Sequence, residues 1–270
     1  MSYNLLKGKK GIIFGALDEK SIAWKTAIRC HEEGASIMLT NAPVAMRMGE
    51  INKLAEAVNA PVVACDVSSN EDVTNLLTKA MEHFGGPVDF ILHSIGMSLN
   101  VRKGKHYTEL DYGFNVKTLD ISATSLHRVL ATAMKMDAIS EWGSVVALTY
   151  IAAQRVFPDY NEMADAKSLL ESIGRSFGYH YGVKKHVRIN TVSQSPTRTT
   201  AGSGVKGFDG FINYAEKMSP LGNASAEDCA NFCVVLFSDM TRMVTMQNLF
   251  HDGGFSFTGV TQAVIEQMEK

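Results

Sequence analysis

Gly11-Ile12-Ile13-Phe14-Gly15-Ala16-Leu17-Asp18-Glu19-Lys20-Ser21-Ile22-Ala23 reads as a short apolar strand, a turn and the opening of a helix. The strand lacks polar alternation, as expected where helices cover both faces of a sheet. Gly15 would permit the tight turn. Ser21 could cap the helix, or offer its hydroxyl and backbone N–H to a pyrophosphate at the helix N-terminus. Of the G-x-G-x-x-G pattern only Gly15 remains, so this stretch alone leaves both roles open.

The same alternation runs through the rest of the chain. Further strand-like runs lie at 36–40, 62–65, 88–93, 144–149, 187–192 and 247–251, and helical patterns at 21–34, 44–59, 69–84, 118–137, 160–182 and 225–238. Ser68-Ser69-Asn70-Glu71-Asp72 carries two overlapping capping-box patterns, and Ser225 with Asp228 a third. About seven strands alternating with helices predict parallel pairing through right-handed crossovers. The expected fold is α/β: one Rossmann-like, doubly wound parallel sheet with helices on both faces, residues 1–270 forming a single domain. Only 196–223 falls outside the pattern, and a loop that long in a compact domain is usually functional.

Composition narrows the function classes. The chain has 270 residues, with 26 Lys+Arg against 28 Asp+Glu and a formal net charge of −2. A nucleic-acid binder would usually be strongly basic, so none is expected. The apolar stretch after the N-terminal lysines is too short for a membrane span. The cysteines, Cys30, Cys65, Cys229 and Cys233, suggest no disulfide framework. Cys229 and Cys233 would share a helix face as buried small hydrophobes, with no further metal ligands at suitable spacing. A reduced, cytoplasmic protein is expected.

In a doubly wound sheet, ligands bind beyond the carboxyl ends of the strands near the topological switch point. Thr40-Asn41-Ala42-Pro43 follows the second strand and offers neither the acidic residue common in NAD sites nor an arginine. That leans toward NADH without excluding NADPH. Asp66, after the third strand, could accept from an adenine amino group or cap the next helix. His93-Ser94-Ile95-Gly96 closes the fourth strand. Ser94 and Gly96 are small enough for a cofactor to approach closely, and His93 reads either as an acid/base or as a satisfied core residue. After the fifth strand come Tyr150, then Tyr160 and Lys167. Seven helical residues advance about 700° and ~10.5 Å, so Tyr160 and Lys167 would share a face. A lysine so placed would lower a phenol pKa that starts near 10.

With these positions assembled, the chain resembles the short-chain dehydrogenase/reductase superfamily and, within it, the enoyl-[acyl-carrier-protein] reductases. The motifs carrying the likeness are Gly15-x5-Ser21-Ile22-Ala23, Cys65-Asp66-Val67, His93-Ser94-Ile95-Gly96, Tyr150-x9-Tyr160-x6-Lys167, Arg188-Ile189-Asn190, Pro196-Thr197-Arg198-Thr199 and His251-Asp252-Gly253-Gly254-Phe255. Typical superfamily members have Tyr-x3-Lys, and Ala164 stands where that lysine would be. The resemblance implies reduction of the trans-2 double bond of enoyl thioesters with NAD(P)H in type II fatty-acid synthesis, by a homotetramer acting on acyl-carrier-protein substrates. It makes Tyr150, Tyr160 and Lys167 the candidate catalytic residues: Tyr160 stabilises the enolate, Lys167 binds the nicotinamide ribose and Tyr150 lines the substrate pocket. It places Gly15, Ser21, Ile22, Asp66, Val67, Ile95 and Thr197 on the dinucleotide, and Ser98 on the substrate. A carbonyl reductase or a non-catalytic dinucleotide sensor would be the alternatives.

The wider Tyr–Lys spacing has a chemical rationale. In enoyl reduction the hydride adds to the β-carbon while charge develops on the thioester oxygen two carbons away. The tyrosine must therefore stand farther from the nicotinamide than in carbonyl reduction. Two departures from the family are visible. Gln194 and Ser195 replace smaller residues, which leaves the pocket wall and inhibitor response open, and Ala42 could meet an adenosine ribose only through its backbone. The substrate-binding loop, about 196–224, contains Gly202, Gly204, Gly207 and Gly210. Arg102, Lys103, Lys105 and Lys206 could meet an acidic carrier protein or be ordinary solvated charges.

Overall fold

A computed structural model describes residues 2–47, 50–200 and 208–269. Its strands are β1 (Lys10–Phe14), β2 (Ser36–Asn41), β3 (Val62–Ala64), β4 (Val88–His93), β5 (Ile139–Thr149), β6 (Arg188–Gln194) and β7 (Asn248–His251). They form one sheet in the order β3-β2-β1-β4-β5-β6-β7, with every pair parallel. This is the expected Rossmann-like sheet. The order reverses between β1 and β4, where Phe14 pairs with His93.

The helices are α1 (Ile22–Glu32), α2 (Pro43–Met46), α3 (Glu50–Ala57), α4 (Asn70–Phe84), α5 (Leu99–Arg102), α6 (Tyr112–Leu119), α7 (Ser125–Met136), α8 (Glu162–Lys185), α9 (Phe208–Met218), α10 (Ala226–Phe237) and α11 (Gln262–Met268). Successive side chains of the strands serve opposite faces. Ile12, Phe14, Ile91, Val145 and Ala147 pack with residues of α4, α7 and α8. Ile13, Phe90, Leu92, Val146 and Leu148 pack with residues of α1, α3 and α10. Each fully buried Ile, Leu, Val or Phe contributes roughly 1.5–3 kcal/mol of transfer free energy, which is why the apolar runs lack polar alternation.

Caps set the helix starts. Ser21 accepts from Trp24 N at 3.3 Å, and Ser69, not Ser68, caps α4 by accepting from Asp72 N at 3.1 Å. Ser225 and Asp228 form a reciprocal capping box on α10. Cys229 and Cys233 are buried on α10, and all four cysteines are free.

Four expectations change, the first being that β5 begins at Ile139, five residues before the expected 144. The pattern over 44–59 is two short helices, because Pro43 opens α2 at its first position and α3 starts afresh at Glu50. The pattern over 118–137 begins earlier, with α6 joined to α7 through a π turn at Asp120–Thr124. The segment 196–223 is not all loop, since α9 occupies part of it with Ile212, Ala215 and Met218 buried on one face. Gly210 lies within α9, while Gly202, Gly204, Lys206 and Gly207 fall outside the described residues.

Candidate active site

Parallel strands carry their carboxyl ends to one edge. Gly15 follows β1, Ser94–Gly96 follow β4, Tyr150 follows β5 and Thr197 lies three residues beyond β6. Gly15 has φ +91°, and a Cβ there would lie 1.9 Å from Ser94 O. The turns after β1 and β4 therefore meet backbone to backbone, and no other residue suits the position. Gly96 is different: its Cβ would meet only the Met163 terminal methyl at 3.5 Å. Its smallness leaves the crevice open rather than serving the protein's own packing.

Around this crevice, Ser21 donates to Asp18 O at 2.8 Å while capping α1, and Ile22 opens the helix. Ile95 is half-buried against the core. Asn41 joins β2 to the β1 turn, donating through Nδ2 to Ala16 O at 2.9 Å, a role not legible beforehand. Asp66 is exposed after β3, and its Oδ1 accepts from Ser68 N and Oγ at 2.9 and 2.7 Å. These bonds hold its carboxyl below the usual range, and Val67 beside it is buried. A backbone-lined crevice, a helix N-terminus and a charged lysine together fit a dinucleotide.

Tyr160 is not in the helix. It sits in the turn before α8, between Asp159 at φ +66° and Asn161 at φ +47°, both left-handed. Asn161 is held there by donating to Lys105 O at 2.6 Å. The helical rotation that would put Tyr160 and Lys167 on one face therefore does not apply, because the chain leaves helical dihedrals before reaching the tyrosine. Convergence comes through β5 instead. The Tyr160 ring meets Tyr150 edge to face at 5.3 Å, and Lys167 Nζ donates to Leu148 O at 2.8 Å, two residues before Tyr150.

The expected lowering of the phenol pKa is also overturned. Burial raises the Tyr160 hydroxyl with no offset from the lysine, whose ammonium turns to the β5 carbonyl. Burial brings Lys167 itself down to about 8, partly opposed by Glu171 one turn along α8. Glu171 accepts from Thr149 Oγ1 at 3.0 Å, Gln154 Nε2 at 3.3 Å and Asn248 Nδ2 at 3.2 Å, tying the end of β5 to α8 and β7.

The Tyr150 hydroxyl is buried with no hydrogen-bond partner among the described residues. An aromatic wall surrounds its ring, with Phe157 at 5.4 Å and Phe211 of α9 at 6.1 Å. Phe255 joins this wall through Phe157 at 6.2 Å. Phe157 and Phe211 were not expected here. The apolar spacing 211, 212, 215 and 218 was the available signal, and the neighbouring glycines masked it.

Other expected residues are spent on the protein itself. Ser98 donates to the buried carboxylate of Glu162 at 2.6 Å and caps α5 through Val101 N at 3.0 Å. Its side chain is thus engaged within the protein. His93 is wholly buried, with Nε2 against Ser125 Oγ at 2.9 Å, as a core residue would be. Gln194 and Ser195 are also buried, and their polar atoms bond within the protein.

A family model described as enoyl-(acyl carrier protein) reductase matches residues 15–256. The chain is similar to the enoyl-[acyl-carrier-protein] reductase [NADH] FabI of Aquifex aeolicus (strain VF5), at 34% identity over 261 residues, 95% of this chain and 94% of that protein. It is similar in structure to a FabI–NADH complex from Alistipes finegoldii, with a TM-score of 0.95, 66% identity, and 96% of this chain and 92% of that one covered. Against the Aquifex aeolicus VF5 structure the TM-score is 0.88 at 32% identity, covering 95% of this chain and 100% of that one. The chain belongs to the enoyl-(acyl carrier protein) reductase family.

Proposed function

We propose that residues 1–270 form a single catalytic domain that reduces the trans-2 double bond of enoyl thioesters on acyl carrier protein, with NADH, in type II fatty-acid synthesis. The observation that carries this reading is the unpartnered Tyr150 hydroxyl beside the Tyr160 ring, at the strand end that Lys167 also reaches. A buried polar group left unsatisfied is costly, and a substrate carbonyl is a partner it lacks.

The turns at Gly15–Ala16 and Ser94–Gly96, the start of α1 at Ser21 and Ile22, Asp66 with Val67, and Thr197 would hold the dinucleotide, which when bound would supply the hydride for the β-carbon. Lys167 would donate to the nicotinamide ribose hydroxyls. Reduction at the β-carbon places charge on the thioester oxygen. Tyr160 donates a hydrogen bond to that oxygen, with the otherwise unpartnered Tyr150 hydroxyl as a second donor, stabilising the enolate until the α-carbon takes a proton. Burial favours this role, since a raised pKa keeps the Tyr160 hydroxyl protonated and ready to donate. Tyr150, Phe157, Phe211 and Phe255 give the acyl chain an apolar wall and keep water from the developing charge.

The assembly we propose is a homotetramer. Tyr112 and Val116 on α6 and Tyr179 and Val183 on α8 are exposed, and these helices pack against each other. Such side chains on neighbouring helices suit burial by further copies. Among the described residues no helix is long and apolar enough to cross a membrane, and the free cysteines suit the cytoplasm.

The test is loss of reduced-nicotinamide absorbance with crotonyl and acetoacetyl thioesters, using NADH and NADPH separately. Turnover of the enoyl substrate with NADH is expected. Turnover of the keto substrate alone would make the chain a carbonyl reductase. Binding of dinucleotide without turnover, on carrier-protein thioesters as well, would make it a sensor.

A further inference from the structure

We propose that Gln194, the last residue of β6, is a positioning residue for dinucleotide binding, holding Thr197 and the start of α10 in place against β7. This rests on the reading above that the chain binds NADH with Thr197 at the dinucleotide.

Gln194 is 4% exposed. Its Nε2 donates to Ala224 O at 3.1 Å and Ser225 O at 3.3 Å, and lies 3.4 Å from Thr197 Oγ1. Carbonyl oxygens only accept, so the amide NH2 must face them. Its Oε1 then accepts from His251 Nδ1 at 2.7 Å, which fixes the histidine proton on that nitrogen. His251 is the register partner of Gln194 across β6 and β7, and its ring stacks on Phe232 at 5.0 Å. One side chain thus ties the nearby Thr197 to two stretches distant in sequence, Ala224–Ser225 and His251.

Ser195 repeats the tie. Its N–H donates to His251 O at 3.1 Å, and its Oγ accepts from Ala224 N at 3.0 Å. Thr197 Oγ1 donates to Ser195 O at 2.9 Å, so its hydroxyl is held from both sides. Where only volume had to be filled, an apolar residue would serve. A satisfied buried polar network instead selects one geometry.

That geometry borders a cleft of about 430 Å³. One wall is Thr197, Ala224 and Ser225, the residues Gln194 binds. The other carries Lys20, beside the N-terminus of α1, and Lys25, which pairs with Glu227 at 2.9 Å. The lining balances Lys20, Lys25 and Arg198 against Glu19, Glu216 and Glu227, so the cleft's link to the dinucleotide lies in Thr197 and the adjoining start of α1 rather than in net charge. Displacing the Thr197 wall would widen the cleft and weaken binding without touching Tyr160 or Lys167.

The experiment measures NADH dissociation constants by fluorescence titration, kcat at saturating NADH and thermal unfolding without dinucleotide. The variants are Gln194→Ala, Gln194→Glu and His251→Phe. Gln194→Ala should weaken NADH binding about tenfold, the effect of losing roughly one net buried hydrogen bond, while kcat at saturation stays within about threefold. Gln194→Glu should not restore affinity, because a carboxylate still accepts from His251 but cannot donate to Ala224, Ser225 or Thr197. His251→Phe keeps the stack on Phe232 and should give an intermediate loss. Unchanged NADH affinity in the folded variants, even with lowered thermal stability, overturns the inference alone. A wild-type chain that binds no dinucleotide overturns the functional reading together with it.

Discussion

The rings of Tyr150 and Tyr160 meet edge to face at 5.3 Å, although one ends a strand and the other stands in the turn before a helix. Aromatic neighbours pack around this pair, and the Tyr150 hydroxyl finds no partner among the described residues. Tyr150→Phe removes that orphan group. Thermal stability should hold or rise by about 1 kcal/mol, while kcat/KM for the enoyl thioester falls about tenfold. A stability loss with unchanged kinetics would show that the hydroxyl serves the fold and not the substrate.

Tyr160→Phe separates chemistry from binding. The phenol sits against Tyr150, and in the proposed mechanism it acts at the thioester oxygen and not on the dinucleotide. Turnover should fall about 100-fold or more, the usual scale for losing an oxyanion donor. NADH affinity should stay within about twofold of wild type on the affinity scale of binding free energies. Steady-state rates and a fluorescence titration on one preparation check both.

The strand positions were legible because strands buried on two faces must be apolar on two faces. Ile12, Ile13 and Phe14 advertise this, and so do Phe90, Ile91 and Leu92. Ser69 and Ser225 were legible because capping needs a short polar side chain at a fixed offset. The local path at Tyr160 was not legible. Its neighbours Asp159 and Asn161 both have positive φ, and Asn161 is held by a contact with Lys105 far back in the chain. Phe211 was hidden for a related reason: α9 is defined by what it covers, and nearby glycines suggested a loop. The hydrogen bonds of Glu171, and those of Gln194 to Ala224, Ser225 and His251, are long-range and leave no periodic trace.

Lys167 ties activity to pH. Burial lowers its pKa to about 8, so its charge is lost within the range where the enzyme can be assayed. If the ammonium holds the ribose, kcat/KM for NADH should decline as pH rises through about 8. Stability from this group runs the other way. Between about 8 and the unfolded value of 10.5 the unfolded chain binds more protons than the native one, so stability rises with pH. Opposed trends in rate and melting temperature would identify the lysine. Lys167→Arg, charged throughout, should remove the alkaline limb, and Glu171→Gln, which removes the charge supporting the ammonium, should shift it to lower pH. An alkaline limb that survives in Lys167→Arg would assign it to another group.

His93 gives the complementary acid-side test. Its Nε2 faces Ser125 Oγ at 2.9 Å, and that hydroxyl donates to Ile121 O at 2.6 Å, so Nε2 must carry the imidazole proton. The Nδ1 atom has no partner among the described residues. Burial first, and the Lys167 charge second, lower its pKa to about 3. The folded value lies below the unfolded 6.5, so stability from this group is whole above pH 6.5 and drains away as pH falls toward 3. Where one proton separates the two states, the slope is about 1.4 kcal/mol per pH unit. His93→Gln keeps a donor toward Ser125 but has no proton to gain. Melting temperatures from pH 6.5 to 4 should therefore fall less steeply in His93→Gln than in the wild type. Equal slopes would mean that other groups govern acid unfolding and that His93 is not the buried base the geometry describes.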